Sequence, residues 1–258
     1  MRPPGEIFAL SREFLAGFAH AVTFLTTLPI AKPSCNAGRL ANAAWAFPLV
    51  GAGIGAVAGF IFLLAQVLRL GDWLAALLAV LAGIALTGAL HEDGLADTAD
   101  GLIGGRDRDH ALAIMRDSRQ GTFGVLAIVL SVLMRAAALV NVGDPVHAVL
   151  ALISAHAASR AVLPVAMRVM RPARADGLGA SAGQPRAAFA VFAGTMGILI
   201  SLAALGPQRG AIALGILGAG VFGAGLLAQR RIGGYTGDIL GAFQQIGEIA
   251  MLLTAAAR

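Results

Sequence analysis

The stretch AAWAFPLVGAGIGAVAGFIFLLAQVL, residues 43–68, holds no charged side chain and is long enough to cross a bilayer as one helix, the hydrocarbon layer being roughly 30 Å thick. Gly51, Gly55 and Gly59 recur within it at a spacing of four and so share one helix face. A face without side chains lets a neighbouring helix approach closely. Outward from this stretch, comparable apolar windows run at 74–91, 122–142, 147–167, 187–205, 211–229 and 237–256. In a chain of 258 residues that is 58% hydrophobic and only 13% charged, such windows predict an all-α, polytopic membrane helical bundle with about seven transmembrane helices. Phe14 to Ile30 is apolar as well, but Arg12 and Glu13 precede it and Pro29 and Pro33 close it. An N-terminal interfacial or partly embedded helix is expected there. Residues 1–35 show no small-residue cleavage pattern, so a cleaved secretory signal is not expected.

The basic residues set the orientation. With the loops alternating across the membrane, one side receives Arg2, Arg12, Lys32, Arg39, Arg106, Arg108, Arg116, Arg119, Arg168, Arg171, Arg174, Arg186, Arg230 and Arg231. The other receives only Arg69, Arg209 and Arg258, and Arg135 and Arg160 fall inside spans. The positive-inside rule then puts the crowded side in the cytoplasm. The net positive charge is thereby accounted for without nucleic acid, and the lipid bilayer is the expected partner. The lone Cys35 excludes an intrachain disulfide and a cysteine-based metal site, and reads as a bystander thiol.

Against this sparse charge stands HEDGLADTADGLIGG, residues 91–105, in the longest polar connection, Glu92 to Gly121. Asp93, Asp97 and Asp100 stand at i, i+4 and i+7, which on a helix stacks three carboxylates on one narrow face. Like charges so close repel unless something neutralises them. A hard divalent cation fits oxygen donors of this kind, and Mg2+ commonly combines a few carboxylates with water and substrate phosphate.

Two further motifs extend the candidate site. DRDHALAIMRDSRQGTFG, residues 107–124, reads as a short amphipathic helix capped by Asp107 or Asp109, carrying Arg116, Asp117, Ser118 and Arg119 to the membrane surface. Asp117 could complete a metal site, while Arg116 and Arg119 could hold phosphate oxygens. RRIGGYTGDILGAFQQIGE, residues 230–248, supplies Gly233, Gly234 and Gly237, whose amides could approach a phosphate, and Asp238 at the start of a span, as a ligand or as a helix cap. Gln244, Gln245 and Glu248 continue into that span, where polar groups face a cavity or one another. Arg160, one turn after His156, needs a buried partner for the same reason; Glu248 and a substrate phosphate are the alternatives. The basic, glycine-rich RVMRPARADGLGASAGQPR, residues 168–186, is expected to be irregular and to anchor on anionic lipid.

Taken in order, HEDGLADTADGLIGG, IMRDSRQGTFG and GGYTGDILGAFQQIGE resemble the adenosylcobinamide-GDP ribazoletransferase (cobalamin synthase) family over most of the chain. The resemblance implies a single integral-membrane catalytic domain over residues 1–258, in the bacterial inner membrane with its active site on the cytoplasmic side. It implies an Mg2+-dependent transferase that joins adenosylcobinamide-GDP to alpha-ribazole or its 5'-phosphate with release of GMP. By family pattern Asp93, Asp97, Asp100, Asp117 and Asp238 would hold metal, with Asp93, Asp97, Asp100 or His91 as the proton acceptor. Arg116, Ser118, Arg119, Arg160, Gly234 and Gly237 would meet substrate. Glu92 receives no role, and a homo-oligomer is left open.

Three other readings compete. CDP-alcohol phosphotransferases begin a membrane motif D-G-x-x-A-R, but here Asp97 and Thr98 stand where that pattern has Ala and Arg. Membrane prenyltransferases of the UbiA type pair two aspartate-rich motifs, which GGYTGD does not match. A cation transporter should place its carboxylates near the midplane, whereas these gather at one face.

Overall fold

The computed structural model describes residues 4–30 and 37–257. Arg2, Lys32, Cys35 and Arg258 lie outside the described residues, as do the side chains of Arg12 and Arg39. The chain forms α1 (Pro4–Leu25), α2 (Ala37–Ala43), a 3-10 turn (Ala44–Ala46), α3 (Phe47–Val67), α4 (Asp72–Thr87), α5 (Leu90–Gly104) and α6 (Arg108–Ile114). It continues through α7 (Thr122–Val142), α8 (Pro145–Val169), α9 (Leu178–Ser181), α10 (Ala187–Leu205), α11 (Pro207–Ile232) and α12 (Gly237–Ala256). Among the described residues six helices are long and apolar enough to span a membrane, or seven if the pair α4 and α5, bent by 90°, is counted as one broken span. In α1, residues Glu13–Leu25 form a shorter apolar helix, as expected of a partly embedded element.

The apolar window 74–91 is not one straight helix. α4 stops at Thr87, and α5 leaves it at 90°. The break is built from two successive left-handed residues, Gly88 (φ 61°) and Ala89 (φ 59°), whose amides return to Ala85 and Ile84. Ala89 carries a Cβ in a region that costs L-residues roughly 1–2 kcal/mol. The polar connection 92–121 is correspondingly more helical than a loop: α5 carries the aspartates, and α6 follows with Asp107 as its N-cap, accepting from the His110 amide at 2.8 Å. α6 ends at Ile114, so Arg116 to Arg119 stand beyond it in turns.

α8 and α12 occupy the centre, with 72% and 67% of their apolar windows buried, against 22% for the peripheral α10 and α11. The four-residue glycine stripe of α3 packs on α8. A methyl on Gly55 would sit 2.7 Å from the Ile153 Cα, and one on Gly59 2.8 Å from a Val149 methyl. Leu and Phe side chains exposed on the outer helices face acyl chains as apolar as themselves.

At the centre of the bundle lies a buried ionic network. Arg135 of α7 donates through Nη1 to Glu248 Oε1 of α12 at 2.9 Å and stands 3.0 Å from Glu92 Oε1 of α5. Glu248 Oε2 accepts from Gln244 at 2.6 Å and lies 3.2 Å from His156 Nδ1. Gln245 donates to Glu92 at 3.1 Å and accepts from Ser131 at 2.6 Å. Arg160 is 4.0 Å from Glu248, whose nearest guanidinium is Arg135. Glu92, which the sequence leaves without a role, thus ties α5 to α7 and α12 within the core.

Candidate active site

The site is assembled at the end of the bundle where the arginine-rich connections meet. Tyr235 bridges to the segment after α8, its amide donating to Arg171 and its carbonyl accepting from Ala173. Arg108 donates to the carbonyls of Ile232 and Ala173, and Arg231 to those of Leu102 and Gly105. These arginines, which in sequence mark only the topology, cross-link the loops by satisfying helix-terminal carbonyls.

On α5 the three aspartates share one face but differ in surroundings. Asp93 is exposed, Asp97 half-buried and Asp100 buried. Asp100 is engaged: its two oxygens accept from the amides of Gly121 at 2.7 Å and Gly124 at 2.9 Å, at the N-terminus of α7. Carboxylates suit that end of a helix because its amides are unpaired and its dipole is positive. Asp97 feels the charges of Asp93 and Asp238, with the Gln120 side chain nearby.

Asp238 reaches this face because α12 crosses α5 at two glycines. A methyl on Gly94 would lie 2.9 Å from the Asp238 carbonyl and 3.1 Å from the Gly241 Cα. Only glycine permits that approach without displacement. Asp238 is not the cap of α12. That place belongs to Thr236, whose Oγ1 accepts from the Ile239 amide at 3.3 Å and donates to Asp238 at 3.1 Å. The carboxylate is left partly free, with Arg174 Nη2 3.8 Å away.

Asp93, Asp238, His91 and Arg174 line one cavity of ≈ 190 Å³, together with Gly179 and Gly237. His91 is buried and its Nδ1 has no hydrogen-bond partner among the described residues; the same holds for Arg174 Nη1. Among those residues no three His, Cys, Asp or Glu side chains are gathered closely enough to hold a metal ion by themselves. The donor set nevertheless suits Mg2+, which keeps several waters and takes one or two carboxylates plus substrate phosphate instead of a protein cage.

Other sequence candidates are placed elsewhere. Asp117 pairs with Arg119 through both carboxylate oxygens, and those hydrogen bonds hold its carboxyl down at about 2. Arg116 pairs with Asp176 at 2.5 Å, and Ser118 is exposed. Arg160 is buried in the central network, and Gly234 packs against Arg171 and Ala173. Arg174 is the residue that sequence reading passed over. Nothing in RVMRPARADG distinguishes it from Arg168 or Arg171; only the bridge to Tyr235 turns it toward the aspartates.

No solved structure matches the chain. Among known proteins it is 47% identical over 248 residues to the adenosylcobinamide-GDP ribazoletransferase of Bradyrhizobium diazoefficiens, covering 95% of each chain. It is 43% identical to those of Mesorhizobium japonicum, covering 95% of this chain and 94% of the relative, and Azorhizobium caulinodans, covering 93% and 95%. The model of the family described as CobS, cobalamin-5-phosphate synthase, matches residues 17–256. That match takes in all three motifs and runs from within the apolar N-terminal helix to the end of the last span, and so this multi-pass membrane chain belongs to the cobalamin-5-phosphate synthase family.

Proposed function

We propose that the chain is an adenosylcobinamide-GDP ribazoletransferase, one catalytic unit in the bacterial inner membrane with its site facing the cytoplasm. The carrying observation is the cavity in which Asp93 and Asp238, from two helices that touch through glycine, meet Arg174 and His91. Near-full-length identity to enzymes of that name supports the substrate assignment.

A ribose hydroxyl of alpha-ribazole or its 5'-phosphate attacks the phosphorus that carries cobinamide. The new O–P bond forms as the bridging P–O bond to GMP breaks, and the hydroxyl proton leaves. Such transfers need positioning and charge neutralisation more than covalent help from the protein. Asp93 and Asp238, which line the cavity with Asp97 beside them on the α5 face, would hold Mg2+ together with substrate phosphate, and the ion when bound neutralises diphosphate oxygens. Asp100 fixes the start of α7 against the α5 face, so the aspartate helix cannot rotate away. Arg174, whose Nη1 has no partner among the described residues, donates to a phosphate oxygen in a charge-assisted hydrogen bond. His91 or Asp93 takes the proton, His91 through a ring nitrogen.

The test is GMP release by the purified chain in lipid bilayers. Release from adenosylcobinamide-GDP should require both alpha-ribazole and Mg2+. Absence of release, or release independent of the acceptor, would overturn the proposal.

A further inference from the structure

The cavity is two-faced. Its rim carries the exposed Asp93 and the partly accessible Arg174 and Asp238, and with the buried His91 these are the only charged or polar side chains that line it among the described residues. Its floor is made by Phe24, Phe47, Leu163, Met167, Ala182 and Leu240, drawn from four helices and the segment after α9. Phe24 and Phe47 stand nearly parallel there, 14° apart with centroids at 6.0 Å. We infer that this floor is the subsite for the aromatic base of the acceptor nucleoside, the alkylated benzimidazole of ribazole, held so that its ribose emerges at the carboxylate rim. The inference rests on the transferase reading above.

Three considerations choose this occupant over other parts of the two substrates. A cavity of about 150 Å³ takes benzene, so ≈ 190 Å³ suits a small fused ring and is far too small for a corrin macrocycle. Guanine fits by size, but its edges carry several donors and acceptors that a floor without polar side chains would leave unpaired, at a cost for each. A dimethylbenzimidazole has one free ring nitrogen and two methyl groups, the composition that such a floor accepts. The geometry also orders the reaction: with the base seated in the floor, the ribose is the first part of the acceptor to reach Asp93 and Asp238, where the donor diphosphate must lie.

Steady-state kinetics of the full chain in bilayer nanodiscs, varying donor and acceptor separately, test the assignment. With the wild type, the benzimidazole riboside lacking both methyls should be used about tenfold less efficiently, from two buried methyl groups. Leu163→Phe, which fills the floor, should raise the KM for alpha-ribazole by about tenfold or more and leave the KM for adenosylcobinamide-GDP unchanged. A raised donor KM with an unchanged acceptor KM assigns the floor to the donor and overturns the inference. Should Leu163→Phe fail to accumulate, Leu163→Ala decides: it should accept a riboside of the longer naphthimidazole base better than the wild type does, and equal use by the two proteins overturns the inference. A wild type that releases no GMP with any acceptor overturns the transferase reading and this inference with it, whereas normal wild-type transfer with an unaltered acceptor KM in Leu163→Phe overturns the floor assignment alone.

Discussion

Replacing Arg135 with Met removes the one cation that, among the described residues, pairs with both buried acids of the central network. Its Nη1 lies 3.0 Å from Glu92 and 2.9 Å from Glu248, and the three side chains are 2%, 6% and 3% exposed. After the substitution Glu248 keeps Gln244 and the neighbourhood of His156 and Arg160, but Glu92 keeps Gln245 as its one hydrogen-bond partner among the described residues. Breaking a buried pair while leaving its charge behind costs about 3–5 kcal/mol. For a chain of this size that corresponds to a fall of roughly 6–20 °C in unfolding midpoint. Intrinsic fluorescence of Trp45 and Trp73 during heating in micelles reads it. The double variant Arg135→Met with Glu92→Gln should recover about 1–3 kcal/mol, because the stranded charge is gone. By contrast, Arg116→Met removes a pair whose side chains are 53% and 66% exposed, and such pairs contribute about 0–1 kcal/mol. If Arg135→Met unfolds within about 1 kcal/mol of the wild type, the network does not fasten α5 to α7 and α12.

Asp100→Asn loses a charged acceptor for two buried amides and should cost about 2 kcal/mol on the same fluorescence scale, whereas Asp97→Asn should leave the midpoint unchanged; equal midpoints would remove the stapling role of Asp100. Gly94→Ala forces α12 away from α5, with an overpacking cost of about 1–3 kcal/mol and a loss of transfer of about tenfold or more in the GMP-release assay. Unimpaired turnover would show that the crossing does not set the site. Cysteines placed at Asp107 and Ala180 in a Cys35-free background should react with impermeant thiol reagents only once the cytoplasmic face is opened, and labelling in intact cells would reverse the proposed orientation.

The spans were legible because lipid imposes one simple condition, an uninterrupted apolar run, and the glycine stripe of α3 announced its own close packing. The break at Gly88–Ala89 was not legible, since hydropathy stays high through it and Ala at a left-handed position gives no compositional sign. Helical spacing placed Asp93, Asp97 and Asp100 on one face, but it could not show that Asp100 is occupied by the amides of Gly121 and Gly124. Pairing between distant helices depends on their relative rotation, which local sequence does not encode. For that reason the sequence leaves Glu248 and a substrate phosphate as alternatives for Arg160, whereas in the fold Arg160 lies 4.0 Å from Glu248 and Arg135 takes the nearer place. Arg174 owes its position to a two-residue bridge between segments more than sixty residues apart.

If α5 and α12 contribute carboxylates to one metal–diphosphate centre, Asp238→Ser should disable that centre without loosening the fold. Thr236, not Asp238, caps α12, so the variant should keep its thermal midpoint. Mn2+ binding in the presence of GDP, followed by electron paramagnetic resonance, should weaken by about tenfold or more, with GMP release lost in parallel. A folded Asp238→Ser protein that binds Mn2+ and releases GMP as the wild type does would contradict the shared centre.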